Sequence, residues 1–292
     1  MRKLCIIFLF PLQLFAQNFS KEEISRYQQQ AKNVTIIRDN WGIPHIYGKT
    51  DADAVFGLMY AQCEDDFKRV EMNYIEKLGR MAEVKGESEL YNDLLIKLII
   101  DSSDAINDYK RSPLWLKKLC DAFADGINYY LYKHPAVHPA LLDHFRAWYP
   151  LLWTDGSIGA ISTADVTVSE LKNLYSGELP VSIIKQEISS NEENVTGSNG
   201  FAFSPKITES KNAILYINPH VTLYFRPEVH IVSEEASPDD PVGRGLNAYG
   251  AVTWGQFFVY QGFNEHCGWM HTSSAVDAAD SYIEKISKQG NT

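Results

Sequence analysis

Cysteine is scarce in this chain of 292 residues, with four in all, at positions 5, 63, 120 and 267. Cys5 falls in the N-terminal apolar run, and no pair among the other three has metal-ligand spacing. An odd set of three argues against a disulfide framework, although a single bridge stays open. Positive charge is short as well. Lys and Arg number 27 against 37 Asp and Glu, a formal net charge of -10, which makes nucleic acid and anionic membrane poor partners. Beyond the N-terminus no apolar run reaches spanning length, since "DLLIKLII" (93–100) is short and broken by Lys97. There is no internal repeat and no glycine loop of the kind that cradles phosphate.

What is present is a sizeable apolar fraction, 45% hydrophobic with 12% aromatic, enough for one large domain or two small ones. "MRKLCIIFLFPLQLFAQ" opens with Arg2 and Lys3, runs apolar from Leu4 to Phe15, and places Ala16 before Gln17. Residues 1–16 therefore read as a secretory signal peptide, the other reading being a short membrane anchor. The expected location is periplasmic or secreted, with no membrane contact once the signal is removed. Such a compartment permits disulfides without requiring one.

The hydrophobic pattern divides the remainder. Residues 17–175 form a mostly helical region, 176–197 a polar spacer, and 198–292 a mostly β region. "SKEEISRYQQQAKN" (20–33) predicts an entry helix. "VTIIRDNWGIPHIYG" (34–48) predicts two strands around the turn "DNWG". From Thr50 or Asp51 the pattern becomes helical. Val55, Met59, Cys63, Phe67, Val70 and Tyr74 share one face, and Gly79 and Gly86 mark ends. A second helical stretch covers 89–133, with Pro113 at a helix start, and a further helix is expected within 157–175. His134, His138 and His144 are separated by prolines and lack ligand spacing, so they read as surface or core histidines. After Ser198, "FAFS" and "AILYIN" predict a hairpin whose first strand is buried. "YFRPEVHIVSE", "AYGAVTW", "QFFVYQGFN" and "HCGWMHT" continue as strands.

The junction "NVTGSNGFAF" (194–203) sets Gly197-Ser198-Asn199 where the spacer meets the β region. A turn would explain it, and so would a cut that exposes serine as a new N-terminus. Three segments bear on the choice. "VTIIRDNWGIPHIYGKTDADAVFGLMYAQCEDDFKRVEMNYIEKLGRMAEVKG" carries Arg-Asp, then Gly-Ile-Pro-His-Ile, then Thr-Asp-x-Asp-Ala with Phe-Gly, then Leu-Gly-Arg-Met-Ala-Glu. "GSNGFAFSPKITESKNAILYINPHVTLYFRPEVHIVS" and "GFNEHCGWMHTSSAVDAADSYIEKI" follow. Together they resemble the penicillin acylase family of N-terminal-nucleophile hydrolases, from about residue 34 to the end and most weakly between about 90 and 190.

The resemblance implies an α+β fold, a four-layer αββα sandwich that is incomplete here because its C-terminal part is missing. It implies a precursor, a zymogen that cleaves itself between Gly197 and Ser198 into an α/β heterodimer, and a hydrolase acting on a small-molecule amide, as in antibiotic biosynthetic processes. Ser198 would be the nucleophile. Serine needs an adjacent base, and a free α-amine, with an ordinary pKa near 8, sits on the same residue. His220 matches a position beside the nucleophile that is histidine in the acyl-homoserine lactone and cephalosporin branches. Ser273 would offer its backbone N–H to the oxyanion, and Asn199 would support the nucleophile. Phe201, Tyr224 and Phe225 are expected pocket walls. Glu170, Asp277 and Asp280 match calcium-ligand positions of some members, and hard oxygen ligands suit Ca²⁺; the chemistry itself requires no cofactor. The second oxyanion donor of the family lies beyond Thr292, so the chain alone is expected to fold poorly and act weakly. The alternative is a non-catalytic secreted relative or binding module that keeps the scaffold.

Overall fold

The computed structural model describes residues 19–152, 166–176, 198–220, 226–236 and 245–272. Helix α1 (Lys21–Ala31) starts at Ser20, whose hydroxyl accepts from the Glu23 N–H while the Glu23 carboxylate accepts from the Ser20 N–H. This reciprocal cap satisfies two of the donors a helix start leaves open. Strands β1 (Val34–Arg38) and β2 (Pro44–Gly48) form the expected antiparallel pair. The turn between them is fixed by Asp39 Oδ1, which accepts from Trp41 N and Ile43 N.

Helix α2 (Asp51–Lys77) is capped by the Thr50 hydroxyl, and every residue of the expected stripe from Val55 to Tyr74 is buried. One feature is absent from the hydrophobic pattern. Asp66 has non-helical φ/ψ (-158°, 73°), and its Oδ1 accepts from Arg69 N at 2.9 Å. The second half of α2 thus restarts at Asp66 as if from a new N-cap, so a kinked pair of helices keeps one continuous apolar face. Then come α3 (Met81–Lys85), α4 (Leu90–Ile99), α5 (Ser102–Arg111), α6 (Leu114–Lys133) and, after a 3₁₀ turn at Tyr149–Leu152, α7 (Val168–Ser176). Pro113 is the N-cap of α6.

The main core forms where α2 crosses α6. Phe56, Met59, Phe67, Val70 and Tyr74 interlock there with Phe123, Ile127, Tyr130 and Leu131. Two buried polar side chains pin the connection after α6 onto this core. Glu71 accepts from the N–H groups of Ala140, Leu141 and Leu142 at 3.0, 2.8 and 2.9 Å. Asn128 exchanges two hydrogen bonds with the Phe145 backbone. Buried polar groups of this kind stabilise a fold when fully paired.

The β region contains β3 (Ser198–Phe203), β4 (Ile214–Pro219), β5 (Glu228–Ser233), β6 (Asn247–Ala251), β7 (Gln261–Phe263) and β8 (Gly268–Trp269). Six strands make one sheet in the order β1-β2-β5-β6-β7-β8, with β2 and β5 parallel and the other neighbours antiparallel. Helix α2 covers one face, where Ala54 and Leu58 bury Ile46, Val229, Ile231, Ala248 and Val252. The two halves of the sequence are therefore one mixed α+β unit, and the joint is specific. Gln62 Nε2 donates to Gln256 O and Gln62 Oε1 accepts from Gly255 N, both at 2.8 Å. The Tyr74 hydroxyl donates to Gly255 O at 2.6 Å. Gly255 has φ +85°, a left-handed conformation, and a Cβ there would meet the Tyr74 ring.

Two expectations about the β region are corrected. The strand expected over "QFFVYQGFN" is limited to Gln261–Phe263, because the residues before it form a turn (Gln256 N to Thr253 O) docked on α2. The hairpin β3–β4 forms, but β3 is not buried. Among the described residues it pairs with β4 alone as a two-stranded ribbon, and residues 199–203 are exposed.

Candidate active site

Ser198 opens β3, opposite Pro219 of β4, and Asn199 stands opposite Asn218. His220 follows Pro219 directly, so antiparallel register alone carries an imidazole from 22 positions downstream to the start of β3. Asn199 Nδ2 donates to His220 Nε2 at 3.2 Å. The Ser198 carbonyl oxygen accepts from the Thr272 hydroxyl at 2.9 Å. Between these contacts Met270 crosses the ribbon over Gly200, where a Cβ would collide with its sulfur. On the other strand Leu215 packs at Gly268, whose missing Cβ would lie 2.7 Å from Leu215 Cδ2. The segment 268–272 thus lies across the start of the hairpin and touches both strands.

Ser198, Asn199 and His220 are accordingly brought together at one end of the ribbon. Phe201 lies two residues along β3, 56% exposed, with its ring beside those of Phe203 and Tyr216. Gly197, Tyr224, Phe225, Ser273, Asp277 and Asp280 lie outside the described residues. Glu170 turns back on its own helix, its Oε2 accepting from Thr167 N and Thr167 Oγ1 at 2.7 and 2.8 Å. That capping role occupies one carboxylate oxygen. Among the described residues no group of three or more His, Cys, Asp or Glu side chains is arranged to hold a metal ion. His134 and His144 are engaged elsewhere, His134 with Tyr130 O one turn back and His144 with Glu23 of α1.

Sequence reasoning did not anticipate the Thr272 contact or the crossing by Met270. The signals were slight, a glycine at 200 and at 268 where a strand would ordinarily carry a side chain. A second histidine pair was also missed. His45 and His230 stand side by side on parallel β2 and β5, with Nδ1 atoms 2.8 Å apart. Asn247 Oδ1 accepts from His230 Nε2 at 2.8 Å, and Asp39 Oδ2 lies 3.6 Å from His45 Nε2. The matching "PHI" and "VHI" tripeptides were its trace in the sequence.

Comparison with known proteins places this geometry in a context. The penicillin amidase family matches residues 33–292. An acyl-homoserine lactone acylase of Pseudomonas fluorescens (strain Pf-5) is 21% identical over 89% of this chain and 36% of its own length. A penicillin acylase 2 proenzyme of Pseudomonas sp. (strain SE83) is 30% identical over 34% of this chain and 13% of its own. The solved thermostable penicillin G acylase of Alcaligenes faecalis covers 49% of this chain and 81% of that one. It has 18% identity and a TM-score of 0.41, too loose a superposition to define shared topology. The chain thus spans about a third of the length of the curated acyl-homoserine lactone acylases it matches. With the match running unbroken from the first strand through Ser198 to the last residue, this chain belongs to the penicillin amidase family.

Proposed function

We propose that the chain is part of a secreted, self-processing amidohydrolase that transfers an amide-linked acyl group to water. The observation that carries this reading is the arrangement at the ribbon start, where Asn199 holds His220 and Thr272 holds the carbonyl of Ser198. In the uncut chain the Ser198 nitrogen is the Gly197–Ser198 amide. Maturation begins when Ser198 Oγ attacks the Gly197 carbonyl carbon; the C–N bond breaks and the hydroxyl proton passes to the nitrogen, leaving an ester and a free α-amine, and water then hydrolyses the ester to the Gly197 carboxylate and restores the Ser198 hydroxyl. That amine then takes the Ser198 hydroxyl proton as Oγ attacks the substrate carbonyl, and returns it to the leaving amine. Water attacks the acyl-serine to complete the cycle. His220, oriented by Asn199, stabilises the attacking hydroxyl, and the Ser273 N–H stabilises the developing oxyanion.

The complete domain, in this reading, is a four-layer αββα sandwich. The six-stranded sheet and the α2–α6 layer are two of its layers, and the mature protein is an α/β heterodimer. The relatives named as acylases of homoserine lactones and penicillins support an acyl amide as substrate, with Phe201, Tyr224 and Phe225 lining the acyl pocket. Asp277, Asp280 and the free oxygen of Glu170 would suit a structural Ca²⁺, which takes no part in the chemistry. The signal peptide supports a periplasmic or secreted location, and among the described residues no helix is long and apolar enough to cross a membrane.

Mass spectrometry of protein isolated from its native source tests the reading. A chain beginning at Ser198 is expected, and Ser198→Ala should abolish both cleavage and amide hydrolysis. Amide hydrolysis by material whose 197–198 bond is intact would overturn it.

A further inference from the structure

Away from Ser198, a cavity of about 430 Å³ opens between β1 and α2. The volume lies in the range of small-molecule sites. Val34 and Ile36 of β1 form one wall. The opposite wall is aromatic. Phe56 and Tyr60, four residues apart on α2, set their rings 5.6 and 5.7 Å from that of Tyr129 on α6. Glu64 lies one further turn along α2 on the same face, as the four-residue spacing requires.

Glu64 has a competitor for its counter-charge. Arg38 also lines the cavity, but its guanidinium is already shared. It contacts Glu64 at 3.2 Å and Asp65 at 2.8 Å, and donates to Gly42 O and Ala61 O at 2.9 and 3.3 Å. Asp65, which does not line the cavity, takes the shorter of the two contacts with Arg38, so Glu64 beside the aromatic rings is only partly neutralised, on a chain whose net charge is -10. An anionic ligand would meet an arginine whose donors are engaged. A cation would meet the negative faces of the rings and a carboxylate that neutralises it. Tyr60 stays neutral throughout, because burial and then Glu64 push its hydroxyl up to about 12.

We propose that this cavity binds a small organic ammonium ion, seated on the Tyr60–Tyr129 face with Glu64 as its counter-charge. The site is independent of the acylase chemistry, so either reading can fail alone.

Choline and its uncharged carbon isostere 3,3-dimethyl-1-butanol separate charge from shape. Titration of the 292-residue chain with choline chloride, followed by calorimetry or by the ring protons of Tyr60 and Tyr129, should show saturable binding. The isostere should bind at least about 5-fold more weakly, the scale of one cation–π contact or one exposed ion pair. Glu64→Gln and Tyr129→Leu should each weaken choline by about 2- to 5-fold, whereas Tyr129→Phe, which keeps the ring, should not. No choline binding at 50-fold molar excess over the chain at about 1 mM, equal binding of the isostere, tighter binding of acetate than of choline, or an unchanged Glu64→Gln variant would each overturn the proposal.

Discussion

At the scale of single residues, Asn199 has one partner that matters to the proposed chemistry, the His220 ring nitrogen at 3.2 Å. Removing the amide takes away the hydrogen bond that holds the imidazole among the described residues, and a catalytic group displaced by an ångström loses about 100-fold in rate. Asn199→Ala should therefore slow cleavage at 197–198 by about that factor, measured as the half-time of appearance of the Ser198 chain; a rate within about 2-fold of the parent would remove Asn199 from the site. Glu23 offers a test by pH. Burial opposes its charge, but the Ser20 backbone and side-chain hydrogen bonds, His144 and Arg26 together hold its carboxyl below the usual value. Because the folded pKa lies under the unfolded one, its contribution is complete above the unfolded value and disappears as pH falls through the folded one. Ser20→Ala should cost about 1 kcal/mol at neutral pH, and urea denaturation should show that cost shrinking in acid; a cost independent of pH would contradict the capping account. Ser198 and His220 were singled out by the resemblance to the family rather than by any local pattern, and what the structure adds is the register that sets them at the same end of the ribbon. Thr272 was not singled out, since a hydroxyl that positions a backbone carbonyl leaves no pattern along the chain.

At the scale of elements, α2 was the most legible part of the chain, because its buried stripe repeats at helical steps from Val55 to Tyr74, about five turns. The kink at Asp66 was invisible for the same reason: the restart preserves the stripe, and an aspartate that caps a restart looks like any solvated carboxylate. β7 was overread because apolar residues that dock on a helix face, such as Phe257, look like strand residues when only alternation is counted. The packing of α2 on α6 rests on a detail that sequence shows only as composition. A Cβ at Gly126 would lie 2.5 Å from Phe56 O and 3.0 Å from Met59 Cβ. One contact is backbone and the other the root of a side chain, so neither yields without moving a helix. Gly126→Ala should destabilise the chain by about 1–3 kcal/mol despite the higher helix propensity of alanine. The expected signature is a lower urea midpoint with an unchanged slope, and a neutral or stabilising substitution would show that the two helices are less closely apposed.

At the scale of the whole molecule, cohesion is uneven, and Ser198 stands on the less cohesive part. The helical core and the six-stranded sheet share α2 and are joined by side chains bonded to backbone at Gln62, Asn73 and Tyr74. Among the described residues the ribbon β3–β4 has one bond of that kind, from the Thr272 hydroxyl to the Ser198 carbonyl. Phe201, Phe203, Ile214 and Tyr216 are exposed, with Phe201 at 56% and Tyr216 at 51%. A two-stranded ribbon is marginal in water on its own, and among the described residues its ties to the rest are the crossing by residues 268–272 and the bond from Thr272. Native-state hydrogen exchange should therefore divide the molecule. Amides in the α2 and α6 interiors should open only with global unfolding, while those of β3 and β4 should exchange at least about 100-fold faster. The exposed aromatic row should also bind an apolar dye such as ANS while the α2–α6 core remains protected, a pairing that a uniformly loosened state would not give. If instead the ribbon amides are as protected as the core, Ser198 stands on a rigid element, and the expectation that this chain alone acts weakly loses its physical basis. Protection confined to the core would mean that the residues of the proposed site are brought together by strand register without being held there, and holding is what positional catalysis requires.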